Sequence, residues 1–168
     1  MGKASRDKGK IGEREVARIL RDAGFDARRG QQYRGGAGSP DVVGVPGFHV
    51  EVKRTEQLRL YDAMQQARDE SGEGEVPVVI HRRNRHGWVA IMDLSDWPDL
   101  VGGRGFHVEV KRTESFRLYD AMQQSRDDSG KDEIPVVFHR RNKQGWVVVM
   151  DLSDWLELVG GRDEPEAR

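Results

Sequence analysis

A chain of 168 residues with 36% hydrophobic and 34% charged residues holds one domain, or one and a fraction, with much solvated surface. Its net charge of −1 sets up no global positive field, so any affinity for nucleic acid has to come from local clusters. The lack of cysteine excludes disulfides and thiolate metal sites, and no apolar run approaches a membrane span or a signal-peptide core, so a soluble, cytoplasmic protein with no membrane partner is expected.

In chain order, basic residues come first: Lys3, Arg6, Lys8, Lys10 and Arg14, then Arg28, Arg29 and Arg34. This cluster is either a solvated arm or a phosphate-facing one. Residues 12–23 predict a helix, because Val16, Ile19, Leu20 and Ala23 form one apolar stripe and Gly24 supplies a stop. A short strand at 25–28 leads into a loop, 29–40, whose glycines and Pro40 admit no regular element. Residues 41–45 read as a strand, Pro46-Gly47 as a turn, and 48–54 as an alternating strand. Phe48, Val50 and Val52 lie on one face of that strand, and His49, Glu51 and Lys53 on the other.

A second helix is predicted over 58–68, with Leu60, Ala63, Met64 and Ala67 inward. Strands follow at 76–81 and 88–92, joined by a reversal at 84–87. Ser95 is expected to cap a last short helix through Trp97 and Leu100. Helix, strands, helix, strands is the order of an α/β fold, a mixed central sheet flanked by helices.

Residues 47–104 then recur as 105–162, a gapless repeat of 58 residues that differs at 14 positions. Residues 1–46 have no second counterpart. The expected organisation is a complete domain over 1–104, a partial second copy over 105–162 and an acidic tail over 163–168. The second copy retains Glu109 and Lys111 but has no strand like 41–45 and no opening helix. Its sheet therefore has an open edge, which pairing with another copy would cover. Loop closure favours folding residues 1–46 onto the first copy, because reaching the second spans about sixty residues and costs roughly 2 kcal/mol more. Phe116, Ile134, Phe138 and Leu156, which replace Leu58, Val76, Ile80 and Pro98, make the second copy more apolar and narrow that margin.

Asp41 opens one strand, and Glu51 and Lys53 project from the next across a tight turn. If the two strands pair as a hairpin, two hard oxygen ligands face one point, as Mg²⁺ or Mn²⁺ requires. Lys53 would then orient or deprotonate a water, or offset phosphate charge. Glu13 sits at the margin of the first helix's apolar stripe. The plain alternative is a solvated strand face with a weak Glu51–Lys53 ion pair. Tyr61, Gln65 and Gln66 line the site, contact DNA or are ordinary helix surface. Arg82 and Arg83 lie on either a DNA-facing strand end or a solvated hairpin.

Pro40-Asp41 followed by Glu51-Val52-Lys53, after a helical Glu13, resembles the PD-(D/E)XK nuclease superfamily. Lys8-Gly-Lys-Ile-Gly-Glu13-Arg14-Glu15 and Leu20-Arg-Asp-Ala-Gly24-Phe25 are similar to the opening helix of archaeal-type Holliday junction resolvases. The resemblance implies a restriction-endonuclease-like fold and a metal-dependent endonuclease acting on branched DNA, foremost four-way junctions, as a homodimer with no small-molecule cofactor. It implies metal ligation by Asp41 and Glu51 with help from Glu13, a catalytic Lys53, and phosphate contacts from Arg28, Arg29 and Arg34; the basic clusters themselves add Lys8, Lys10, Arg82 and Arg83 as expected DNA contacts. Glu109 and Lys111 are the second-copy equivalents. A flap or duplex nuclease, and a silent DNA-binding or assembly module of the same fold, stay open beside it.

Overall fold

The computed structural model describes residues 3–30 and 38–160, with side chains of the first helix from Asp7 onward. The expected phosphate contact Arg34, the side chains of Lys3 and Arg6, and the tail 163–168 lie outside the described residues. The chain forms two compact units, residues 1–92 and 93–168.

In the first unit, α1 (Lys3–Asp22) precedes β1 (Arg28–Arg29), β2 (Val42–Val43) and β3 (Phe48–Arg54). Then come α2 (Leu60–Glu70), β4 (Val76–Arg82) and β5 (Val89–Asp93). The strand order β1-β2-β3-β4-β5 is that of the mixed sheet expected from the sequence: β2 pairs antiparallel with its neighbours, β3 and β4 are parallel, and β5 returns antiparallel. A parallel β3–β4 pair needs a crossover, and α2 supplies it.

Helix α1 ends as the Gly24 signal implies. Gly24 (φ +98°) donates to the Arg21 carbonyl at 2.9 Å and Phe25 to that of Leu20 at 3.1 Å, a Schellman closure that needs the left-handed residue. The helix does not begin at Gly12, as its stripe suggested, but runs back to Lys3. Gly12 is an interior contact instead: a Cβ there would lie 3.0 Å from Arg54 Cβ and 3.5 Å from the Trp88 ring. Val16 and Leu20 are fully buried as α1 packs on β3. Because Arg54 meets α1 while Glu51 and Lys53 meet Gln66 of α2, the two helices cover opposite faces of β3.

The second unit contains β6 (Gly105–Arg112), α3 (Leu118–Asp128), β7 (Glu133–Arg140), β8 (Val147–Asp151) and α4 (Leu152–Gly160). β6 and β7 are parallel and β8 returns antiparallel, the pattern of β3, β4 and β5. The core gathers Met122, Val136, Val137, Val147, Met150 and Trp155. The units divide earlier than the repeat does, so the segment from Asp93 onward groups with the second copy. Trp97 explains this, standing edge-on to Phe106 at 4.8 Å and to Phe138 at 5.1 Å.

The short helix expected from Ser95 is replaced by two 3-10 turns, Leu94–Asp96 and Pro98–Leu100, neither capped by a side chain. In an α-helix starting at Leu94 the N–H of residue 98 would bond the Leu94 carbonyl, and proline has no N–H to give. The second copy has Leu156 at that place, and the same stretch becomes the nine-residue α4.

Candidate active site

The site starts from the β2–β3 hairpin. Asp41 precedes β2; its N–H donates to the Val50 carbonyl at 3.0 Å and its Oδ2 accepts the Val52 N–H at 2.9 Å. With Val42 opposite Val50, Asp41 stands level with Glu51, as the hairpin reading required. Gly30 pins Asp41 from the other side, donating to its carbonyl at 2.8 Å. A Cβ at Gly30 would lie 2.1 Å from the Pro40 carbonyl oxygen, so the close approach needs glycine.

Glu51 is 2% exposed under α2. Its Oε2 lies 3.3 Å from Lys53 Nζ and accepts from Gln66 Nε2 at 3.3 Å. Lys53 Nζ donates to Gln66 Oε1 at 2.8 Å, and Gln66 Nε2 also reaches Glu70 Oε1 at 3.2 Å. On the other side of Glu51, His49 Nε2 lies 3.3 Å from Oε1 in a fully buried position.

These surroundings are short of positive charge. Burial pushes the Glu51 carboxyl up to about 8, with the Asp41 and Glu70 carboxylates adding to the rise and Lys53 opposing it. Asp41 is also raised, first by burial and then by Glu13, against the Val52 N–H, Lys53 and a hydrogen bond shared with Glu51. A divalent cation would supply the missing positive charge and favour both carboxylates ionised. The hard oxygen donors of Asp41 and Glu51 fit such an ion.

The structure treats the expected residues unequally. Asp41, Glu51 and Lys53 converge. Glu13 does not join them by a hydrogen bond; Arg29 holds it in an ion pair, and it reaches Asp41 through its field. Donor atoms of His49, Glu51 and Glu70 fall within 4.8 Å of one another, as do those of His107, Glu109 and Asp128, so groups able to hold a metal exist among the described residues of both copies. Sequence reading left Gln66 open and passed over Glu70. Their signal was the i, i+4 spacing on one helix face. Tyr61 is buried core, and Gln65 bonds Asp69 at 2.7 Å on the helix surface.

Of the expected phosphate contacts, Lys10 and Arg28 are exposed. Lys8 is 3.0 Å from Glu56, Arg29 is paired with Glu13, and Arg82 meets Glu15 at 2.5 Å while lying over the Trp88 ring. Arg83 is half-buried near Glu56. In the second copy, Lys111 contacts Glu109 at 2.6 Å and Gln124 at 2.9 Å.

Comparison with known proteins adds an independent line. Residues 4–69, spanning α1 to nearly the end of α2, match the family model of archaeal Holliday junction resolvases (Hjc). The solved structure of Hjc from Archaeoglobus fulgidus, a Holliday junction resolvase from an archaeal hyperthermophile, is 30% identical; the match covers 49% of this chain and 74% of that one, with a TM-score of 0.39. No curated protein matches. Over residues 4–69, which carry α1, the Asp41–Glu51 hairpin and Lys53, the chain is thus similar to the archaeal Holliday junction resolvase family.

Proposed function

We infer that the chain is a Mg²⁺- or Mn²⁺-dependent endonuclease of PD-(D/E)XK type that cuts four-way DNA junctions as a homodimer in the cytoplasm, with one working site per chain. The observation that carries this reading is the pair of half-buried Asp41 and buried Glu51, level across one hairpin, raised in pKa, and flanked by Lys53 at 3.3 Å.

Asp41 and Glu51 would hold the ion. When bound, it supplies positive charge to the phosphate oxygens and to the leaving oxygen. Asp41 is fixed for this by bonds from both its main chain and its side chain to β3. Lys53, steadied by Gln66, presents a proton-bearing group beside Glu51 to orient the water that attacks in line, or to offset charge on the scissile phosphate. Glu13 tunes Asp41 at a distance and keeps Arg29 beside it. Lys10 and Arg28 meet phosphate directly, whereas Lys8, Arg29 and Arg82 must first leave their carboxylate partners. Arg83 and Arg34 complete the proposed DNA contacts.

The test is cleavage of a labelled four-way junction beside matched linear duplex, with Mg²⁺, by the unmodified chain, Lys53→Ala and Lys111→Ala. Paired symmetric cuts in the junction alone, lost with Lys53→Ala and kept with Lys111→Ala, support a resolvase built on the first copy. Cuts in both DNAs would make it a general nuclease. Tight junction binding without cleavage would favour a silent binding module.

A further inference from the structure

The strand β6 repeats the sequence of β3, but two of its surfaces are bare among the described residues. β3 has β2 along its outer edge and α1 over the face bearing Val50 and Val52. In the second unit, β6 ends the strand order and pairs only with β7 among the described residues. Trp97 covers Phe106 at the start of the strand, whereas Val108 is 40% exposed and Val110 57%. Among the described residues, none pairs with the outward backbone groups. In β3 it is Val50 whose carbonyl accepts from Asp41 and Val52 whose N–H meets the Asp41 side chain, so in β6 the same alternate residues, Phe106, Val108 and Val110, face the open edge.

We propose that β6 is a self-recognition edge: two chains pair their β6 strands antiparallel about a two-fold axis at Val108. Keeping the valines on one face restricts pairing to registers that place even-numbered residues opposite even-numbered ones. Centring on Glu109 would set two glutamates face to face, and centring on Val110 would set Val108 against Arg112 of the partner subunit. Centring on Val108 sets Phe106 against the partner's Val110, Val108 against the partner's Val108, and His107 against the partner's Glu109. That register matches apolar with apolar and places a base opposite an acid. It also extends over 105–111, nearly the whole eight-residue strand.

The competing occupant is the α1–β2 segment of a second chain, whose contact surface on β3 recurs on β6. Each chain carries one such segment, already seated on its own β3, so lending it would uncover Val50 and Val52 to cover Val108 and Val110. Exchange moves the exposed surface without reducing it. Strand pairing covers it in both chains at once.

The chain has no cysteine, so Val108→Cys in the full chain reports on this contact alone. Residues opposite each other at the two-fold axis are close enough for a disulfide. Under mild oxidation, Val108→Cys should form covalent dimers at least ten times faster than Ile11→Cys, a more exposed position on α1. Val108→Lys should convert a sedimenting dimer into a monomer while leaving the circular dichroism unchanged. A monomeric unmodified chain, a dimer that survives Val108→Lys, or equal cross-linking rates at both positions would overturn the proposal. So would a chain carrying Val42→Cys that cross-links to one carrying Val108→Cys, because the edge would then be accepting β2.

Discussion

β3 and β6 share the seven letters Phe-His-Val-Glu-Val-Lys-Arg and still live in different surroundings. Val50 is fully buried and Val52 is 7% exposed, against 40% and 57% for Val108 and Val110. Glu51 lies at 2% exposure beside an aspartate and a helix; the Glu109 side chain is at 20% with Lys111 drawn close. The strand and its following helix therefore form from local sequence alone, twice. The acidic pair does not. It needs α1 and the Asp41 strand, which the chain carries once. The repeat thus separates what folds a βαβ unit from what makes it a site.

The widest expected contrast between the copies is catalytic: Lys53→Ala should lower junction cleavage on the order of 10²-fold or more, and Lys111→Ala by less than about twofold. Equal losses would show the copies to be interchangeable and break the comparison. Next is stability. Val50→Asp puts a charge into a closed core and should cost more than about 3 kcal/mol in urea unfolding, whereas Val108→Asp, measured dilute, should cost less than about 1 kcal/mol. The linker offers a similar contrast. Leu156→Pro should cost about 3 kcal/mol by breaking α4, and Pro98→Leu should add helical signal in circular dichroism with little change in stability.

A smaller effect follows from Glu51. Its folded pKa, about 8, lies above the ordinary 4.5, so between those values the folded chain binds more protons than the unfolded one. Its contribution to stability is complete below about pH 4.5 and is lost as pH rises through about 8. Without divalent ions, unfolding free energy should therefore decline across that window, and Glu51→Gln should flatten the decline. A slope left intact by Glu51→Gln would assign it to another group. Smallest is the metal shift. At ten times its dissociation constant, Mg²⁺ adds about 1.4 kcal/mol, a rise of several degrees in melting temperature that Asp41→Asn should remove.

Much of the site could be read from spacing. Pro46-Gly47 between two apolar strands forces the hairpin, and period two then places Glu51 and Lys53 together opposite Asp41. Gly24 announced the end of α1 for the same kind of local reason. What escaped depended on partners distant in sequence. Gly12 looked like a boundary because its contact, Arg54, belongs to another element. Arg29 and Arg82 looked like free cations because Glu13 and Glu15 approach them only after α1 docks. Pro98 carried a local signal that the apolar spacing of Trp97 and Leu100 outweighed.

The Gln66 amide carries a consequence of its own. Its nitrogen faces Glu51 and Glu70, and its oxygen faces Lys53. Ionised Glu70 can only accept, so the amide cannot turn over without losing that bond and setting its nitrogen against the Lys53 ammonium. The side chain therefore works as a one-way valve for polarity: it admits an acid at position 51 and a base at position 53, and rejects the reverse order. A chain with Glu51 and Lys53 exchanged would keep its composition, its charge and its strand, and would still present the wrong group to each end of that amide.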